Sequence, residues 1–101
     1  MFLVQILLPL AGNDGAPFPE ELIRGIREQL VGEFGGLTAY GRAPAQGIWA
    51  HDGVRQKDDI AVVEVMVQQL DQAWWRQFRL GLERDLAQQS VIVRAYEIRC
   101  L

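Results

Sequence analysis

Apolar residues change their spacing several times along this 101-residue chain. The segment from Phe2 to Leu10 is almost continuously apolar, which is typical of a central strand covered on both faces. Apolar residues at helical spacing follow from Pro19 to Phe34, and Gly35-Gly36 is expected to end that helix. A second helical stripe from Gln69 to Gln88 and an extended run from Val91 to Leu101 complete the pattern.

Between the two helices the pattern predicts a hairpin whose first arm is interrupted. Leu37 to Tyr40 and Ile48 to His51 have extended patterns, and the glycines and the proline of residues 41–47 favour a bend or bulge between them. Asp52-Gly53 is a hairpin turn signal, and a polar second arm, residues 54–59, precedes a further apolar strand.

The resulting order, β-α-β-β-α-β, is that of the split βαβ or ferredoxin-like fold. We therefore predict a single α+β domain over residues 1–101, with a four-stranded antiparallel sheet and both helices on one face. The two most apolar runs, Phe2–Leu10 and Ile60–Val67, are expected at the centre of the sheet.

The second helix carries two adjacent tryptophans that cannot point the same way, since neighbouring residues differ by about 100° around a helix. An apolar stripe at spacing four includes Trp74. The spacing predicts that Trp74 is buried and that Trp75 is more exposed or lies at an interface. The residues of the stripe are Leu70, Trp74, Phe78, Leu82 and Leu86.

Composition narrows the classes of partner. A hydrophobic fraction of 50% with 23% charged residues is typical of a globular chain. The net charge of −3 argues against nucleic acid. The single cysteine, Cys100, excludes an internal disulfide and fits a reducing compartment. The first apolar run follows no Lys or Arg, is broken by Gln5 and is too short for a bilayer, so we expect a cytoplasmic protein without a membrane partner.

The interrupted strand holds the most suggestive chemistry. Tyr40, Arg42 and Trp49 could line a ligand pocket, and His51 or Glu64 could exchange a proton there. The alternatives are that Trp49 is core, Arg42 lies at the rim and His51 is a solvated residue beside a turn. Glu64 could also pair with Arg94 across the sheet or face solvent.

Other chemistries lack their residues in this sequence. One histidine and one cysteine among scattered carboxylates do not form a metal-ligand set. The loop Asn13-Asp14-Gly15 lacks the spacing of a phosphate-binding motif, and Ser90 is the sole serine. Cys100 is interpreted as a small apolar residue at a strand end. We predict neither a metal nor a cofactor.

Several segments carry a resemblance to known families. Gly36 to Tyr40, Gly47-Ile48-Trp49, Val62 to Val65 and Gln89 to Val93 resemble a group of small uncharacterised bacterial domains with a ferredoxin-like arrangement. The chain is also loosely similar to dimeric α+β barrel proteins, in which two sheets pack face to face. That second resemblance implies self-association and, in some members, monooxygenase or isomerase activity.

The leading functional prediction is a small soluble domain without an assignable activity that forms a homodimer through its sheet, because its apolar surface exceeds what one helical layer covers. One alternative is an enzyme, of monooxygenase or isomerase type, acting on a small hydrophobic or aromatic molecule. A second alternative is a regulatory ligand-binding module that uses the Asn13-Asp14-Gly15 loop.

Overall fold

The computed structural model describes residues 1–39, 45–51 and 54–101, and for residues 39, 45–51 and 54–59 it describes the backbone alone. These residues form five strands and two helices. The strands are β1 (Phe2–Pro9), β2 (Thr38–Ala39), β3 (Ala45–His51), β4 (Val54–Val67) and β5 (Ile92–Glu97), and the helices are α1 (Glu20–Phe34) and α2 (Gln72–Asp85). Neither described helix is long and apolar enough to cross a membrane.

The two most apolar strands lie inside the sheet. β1 pairs antiparallel with β4 on one side and with β5 on the other. β4 is also internal, because β2 and β3 pair with its second edge. The expected central position of the runs Phe2–Leu10 and Ile60–Val67 is therefore confirmed.

The predicted four-stranded ferredoxin-like sheet is wrong. The strands β4, β1 and β5 are adjacent in the sheet, and the predicted second strand is present as two strands, β2 and β3, on the far edge of β4. Ala39 pairs with Val63, and Ala45 pairs with Ile60. The chain therefore advances six residues from β2 to β3 while the paired positions on β4 advance only three. This register shift prevents β2 and β3 from continuing as one regular strand. Residues 40–44 between them lie outside the described part of the chain.

The helix ends follow from local chemistry. Pro19 precedes α1, and Glu20 and Glu21 place negative charge at its positive end. Gly35 ends α1 with a φ of 84°, and its N–H donates to the Val31 carbonyl at 2.7 Å, as predicted for a glycine terminus. α2 begins later than the predicted Gln69, because the Asp71 side chain accepts the Trp74 N–H at 3.1 Å and caps the helix there.

The core lies between the sheet and the two helices. Alternate residues of β1 and β4 point toward both helices, and their side chains form one buried cluster with residues of α1 and α2. Both helices therefore pack on the same sheet face. The largest fully buried side chains are Ile6, Leu8, Leu30, Leu86, Val4, Val63 and Val65.

The predicted burial of the two tryptophans is wrong. Trp75 is 6% exposed, whereas Trp74 is only half-buried. Residues at spacings of three and then four stay within about 60° of one another on a helix, and Trp75, Phe78 and Leu82 have that spacing. A constant spacing of four drifts by about 40° per step, which leaves Trp74 at the edge of the buried arc. Phe34 at the end of α1 stacks on the Trp75 ring, with centroids 4.9 Å apart.

Candidate functional site

The sheet face opposite the helices presents three rows of side chains. Directly paired residues of an antiparallel sheet share a face, so the pairing of β5, β1 and β4 fixes the rows. We call these nine residues the open face. Its first row is Tyr96, Leu3 and Met66, its second is Arg94, Gln5 and Glu64, and its third is Ile92, Leu7 and Val62.

Two of the rows are apolar and partly open to solvent. Met66 is 59% exposed, and Ile92 and Tyr96 are each 49% exposed. Leu3, Leu7 and Val62 are half-buried between their neighbours on the same face. A surface on which large apolar residues from three strands adjoin is a candidate interaction surface.

The middle row is a continuous hydrogen-bonded chain. Arg94 Nε donates to Gln5 Oε1 at 3.0 Å, and Gln5 Nε2 donates to Glu64 Oε2 at 2.7 Å. The amide of Gln5 therefore bridges a guanidinium on β5 and a carboxylate on β4. The row is positive at one end and negative at the other, and it divides the two apolar rows.

This arrangement was only partly predictable. The sequence allowed Glu64 to pair with Arg94 across the sheet, and the structure connects them through Gln5 instead of directly. In the sequence, Gln5 stands out only as an interruption of an apolar run. A signal was available, because Gln5 and Glu64 are the only polar residues of the apolar runs Phe2–Leu10 and Ile60–Val67.

The other predicted site residues are not brought together by described side chains. Tyr40 and Arg42 lie outside the described residues. Trp49 and His51 belong to β3, of which the structure describes the backbone alone. The pocket of Tyr40, Arg42, Trp49 and His51 therefore stays a prediction.

Backbone spacing does not favour a joint role for His51 and Glu64. His51 pairs with Val54, ten residues along β4 from Glu64. Ten residues of a straight strand span about 33 Å. Glu64 accepts a hydrogen bond from Gln5 on the open face, and a proton exchange by His51 or Glu64 stays a prediction.

In the Asn13-Asp14-Gly15 loop, the side chains of Asn13 and Asp14 form hydrogen bonds with backbone groups of the same chain. Asn13 Nδ2 donates to the Ala87 carbonyl at 3.2 Å, and Asp14 Oδ1 accepts the Ala16 N–H at 2.9 Å. These bonds hold the loop against the end of α2 and close its turn. The alternative of a ligand-binding Asn13-Asp14-Gly15 loop gains no support from them.

Two grooves flank α2 on the helical side. One, of about 220 Å³, lies between α2 and β5 and includes Leu70, Trp75 and Arg76 in its lining. Arg79 at its edge is paired with Glu83 at 3.1 Å. The other, of about 260 Å³, lies between α1 and α2. Both are shallow, and the described lining of neither includes a predicted site residue.

Comparison with known proteins supports the fold and supplies no activity. No protein-family model matches the chain, and no curated protein matches it. Similar solved structures include a phage SAM lyase in complex with S-methyl-5'-thioadenosine, at 17% identity and a TM-score of 0.63 over 95% of this chain and 80% of that one. The divalent cation tolerance protein Cut A1 from Thermus thermophilus has 17% identity and a TM-score of 0.61, over 97% and 84% of the two chains. At these identities the likeness shows a shared small α+β fold.

Proposed function

We propose that this protein acts as a self-associating domain, a homodimer formed by packing two open faces together. The observation that carries the proposal is the pair of apolar rows on either side of the polar row. Ile92, Tyr96 and Met66 are each about half exposed or more in the single chain. Covering them removes apolar surface from water, which is the main driving force of association.

The order of residues across the rows is self-complementary about one twofold axis. A twofold axis that runs along β1 in the plane of the interface exchanges the β4 side with the β5 side. Each Arg94 then faces the Glu64 of the second copy, and each Tyr96 faces a Met66. Gln5 lies against its own equivalent at the centre, as an isologous interface requires.

The other twofold axis that brings two faces together is unfavourable. An in-plane axis across the strands places Arg94 against Arg94 and Glu64 against Glu64, and like charges facing each other across an interface are repulsive. Stacked sheets cross at about 30°, which moves a residue one strand from the centre by only about 2–3 Å. Long side chains such as Arg94 accommodate that shift.

Sedimentation equilibrium of the whole chain at about 1–100 µM tests the proposal, since this range brackets a micromolar Kd. The test variant is Ile92→Lys on the open face, and the matched control is Leu80→Lys on α2, because these residues are 49% and 45% exposed. We expect the wild type and Leu80→Lys to be dimeric and Ile92→Lys to be shifted to monomer. A monomeric wild type, or equal behaviour of the two variants, would refute the proposal.

A further inference from the structure

Every sulfur atom of the chain lies in one cluster. The sequence contains one cysteine and two methionines. Cys100 Sγ lies 3.3 Å from Met1 Sδ and 3.9 Å from Met66 Sδ. These residues are far apart in the chain, so the fold itself brings the three sulfur atoms together.

The backbone explains how this happens. The Ile98 N–H donates to the Met1 carbonyl at 3.0 Å, which extends the pairing of β1 with β5 by one step past Phe2 and Glu97. Met66 on β4 pairs with Leu3 on β1, close to the same end of the sheet. The segment after β5 therefore crosses that end and carries Cys100 to the two thioethers.

We propose that Cys100, Met1 and Met66 form a binding site for a soft monovalent metal ion, for which Cu(I) is the representative. Thiolate and thioether sulfur are the ligands that select Cu(I) over hard cations. Three sulfur atoms held at about 2.3 Å from a metal in a trigonal plane are about 4 Å apart. The Cys100–Met66 separation of 3.9 Å matches that spacing, and the Cys100–Met1 separation of 3.3 Å is about 0.7 Å shorter.

The surroundings favour a soft ion over zinc. The described residues contain no group of three or more His, Cys, Asp and Glu side chains that could hold a metal. Zinc prefers four ligands drawn mainly from such residues. The sulfur cluster offers a single anionic ligand and two neutral soft ones, which suits a monovalent ion.

The site is accessible in the single chain, and because Met1 and Cys100 do not belong to the open face, access does not depend on Met66, which the proposed dimer covers. Met1 is 38% exposed, Met66 is 59% exposed, and Cys100 is exposed. The Cys100 thiol loses its proton to solvent, and its sulfur forms a bond to Cu(I) while the two thioethers donate lone pairs. The oxidation state of copper does not change. Because a proton is released, affinity is expected to fall as the pH is lowered.

The test is an anaerobic titration of the full chain with Cu(I) against a chromophoric Cu(I) chelator, after intact-mass measurement has verified that Met1 is retained. We expect one Cu(I) per chain, at least about a 100-fold loss of affinity in Cys100→Ser and about a 10-fold loss in Met66→Leu, because oxygen and carbon replace soft sulfur ligands. Leu101→Ser, next to Cys100 but without a sulfur change, is the matched control and should bind like the wild type. X-ray absorption should show three sulfur neighbours per copper.

Three results would overturn the metal site. These are the absence of a stoichiometric complex, wild-type affinity in Cys100→Ser, and an unchanged affinity in Met66→Leu, which would show that Met66 is not a ligand. Met66 also belongs to the open face, so the oligomeric state of Met66→Leu is measured together with its Cu(I) affinity. The titration is repeated on Ile92→Lys, so that loss of the dimer and loss of the metal site are measured separately.

Discussion

Reversing one charge of the polar row should dissociate the proposed dimer. In Arg94→Glu, the new carboxylate faces Glu64 of the second copy. The twofold axis produces this contact twice per dimer, so one substitution replaces two attractive contacts by two repulsive ones. Within each chain, the Gln5 amide can rotate so that its NH₂ group donates to either carboxylate, and therefore the fold of the single chain should survive.

The size of the effect follows from the number of contacts. Close charge pairs across protein interfaces have measured couplings that begin at about 1.5 kcal/mol. Two such contacts amount to about 3 kcal/mol, and each step of about 1.4 kcal/mol is a factor of ten in Kd. We therefore expect Arg94→Glu to weaken dimerisation by about 100-fold.

Sedimentation equilibrium at several salt concentrations measures this change. Arg24→Glu, on the exposed side of α1, alters the net charge equally and should leave Kd unchanged. The double variant Arg94→Glu/Glu64→Arg restores opposite charges across the twofold axis and should recover most of the lost affinity. If Arg94→Glu dimerises like Arg24→Glu, or if the double variant is as weak as the single one, the proposed axis is wrong.

Two further predictions concern stability, measured by urea unfolding at one fixed protein concentration. Trp75→Ala should lower the free energy of unfolding by about 3–5 kcal/mol because it empties a buried aromatic site, and Trp74→Ala should cost clearly less; equal losses would contradict the helix face described above. Ala87 has a φ of 51°, so Ala87→Gly should raise the free energy of unfolding by about 0.5–1 kcal/mol. Its control, Ala73→Gly in the first turn of α2, should lower it by up to about 1 kcal/mol, and a loss in both would show that Ala87 is not strained.

The sequence was sufficient for the helices and the centre of the sheet because these depend on long, repeated patterns. The apolar runs of β1 and β4 and the glycine that ends α1 each combine several residues into one signal. The predicted number of strands is wrong because of residues 37–51. A glycine- and proline-containing interruption indicates a break, but periodicity does not show that the two sides of the break pair in different registers with β4.

The prediction that Trp74 is more buried than Trp75 is wrong for a related reason. Both residues lie near the apolar arc of α2, and a stripe at constant spacing of four slowly leaves the face that packs on the sheet. Phe34 adds a contact that periodicity does not show: its ring stacks on Trp75 and meets Trp74 edge-on, each at a centroid distance of 4.9 Å. That contact joins the ends of two helices that are far apart in the chain, so no local pattern contains it.

The two candidate sites also depend on contacts that local sequence patterns do not contain. Arg94, Gln5 and Glu64 are ordinary polar residues in their own strands, and the registers of β5, β1 and β4 turn them into one charged row. In the sequence, Cys100 is interpreted as a small apolar residue. It becomes a candidate metal ligand because the sulfur atoms of Met1 and Met66 lie 3.3 and 3.9 Å from its own. In both cases the chemistry depends on several residues that are distant in the sequence and that strand pairing brings together. A search of this sequence for motifs of adjacent residues therefore passes over both sites, whereas the strand pairing exposes them.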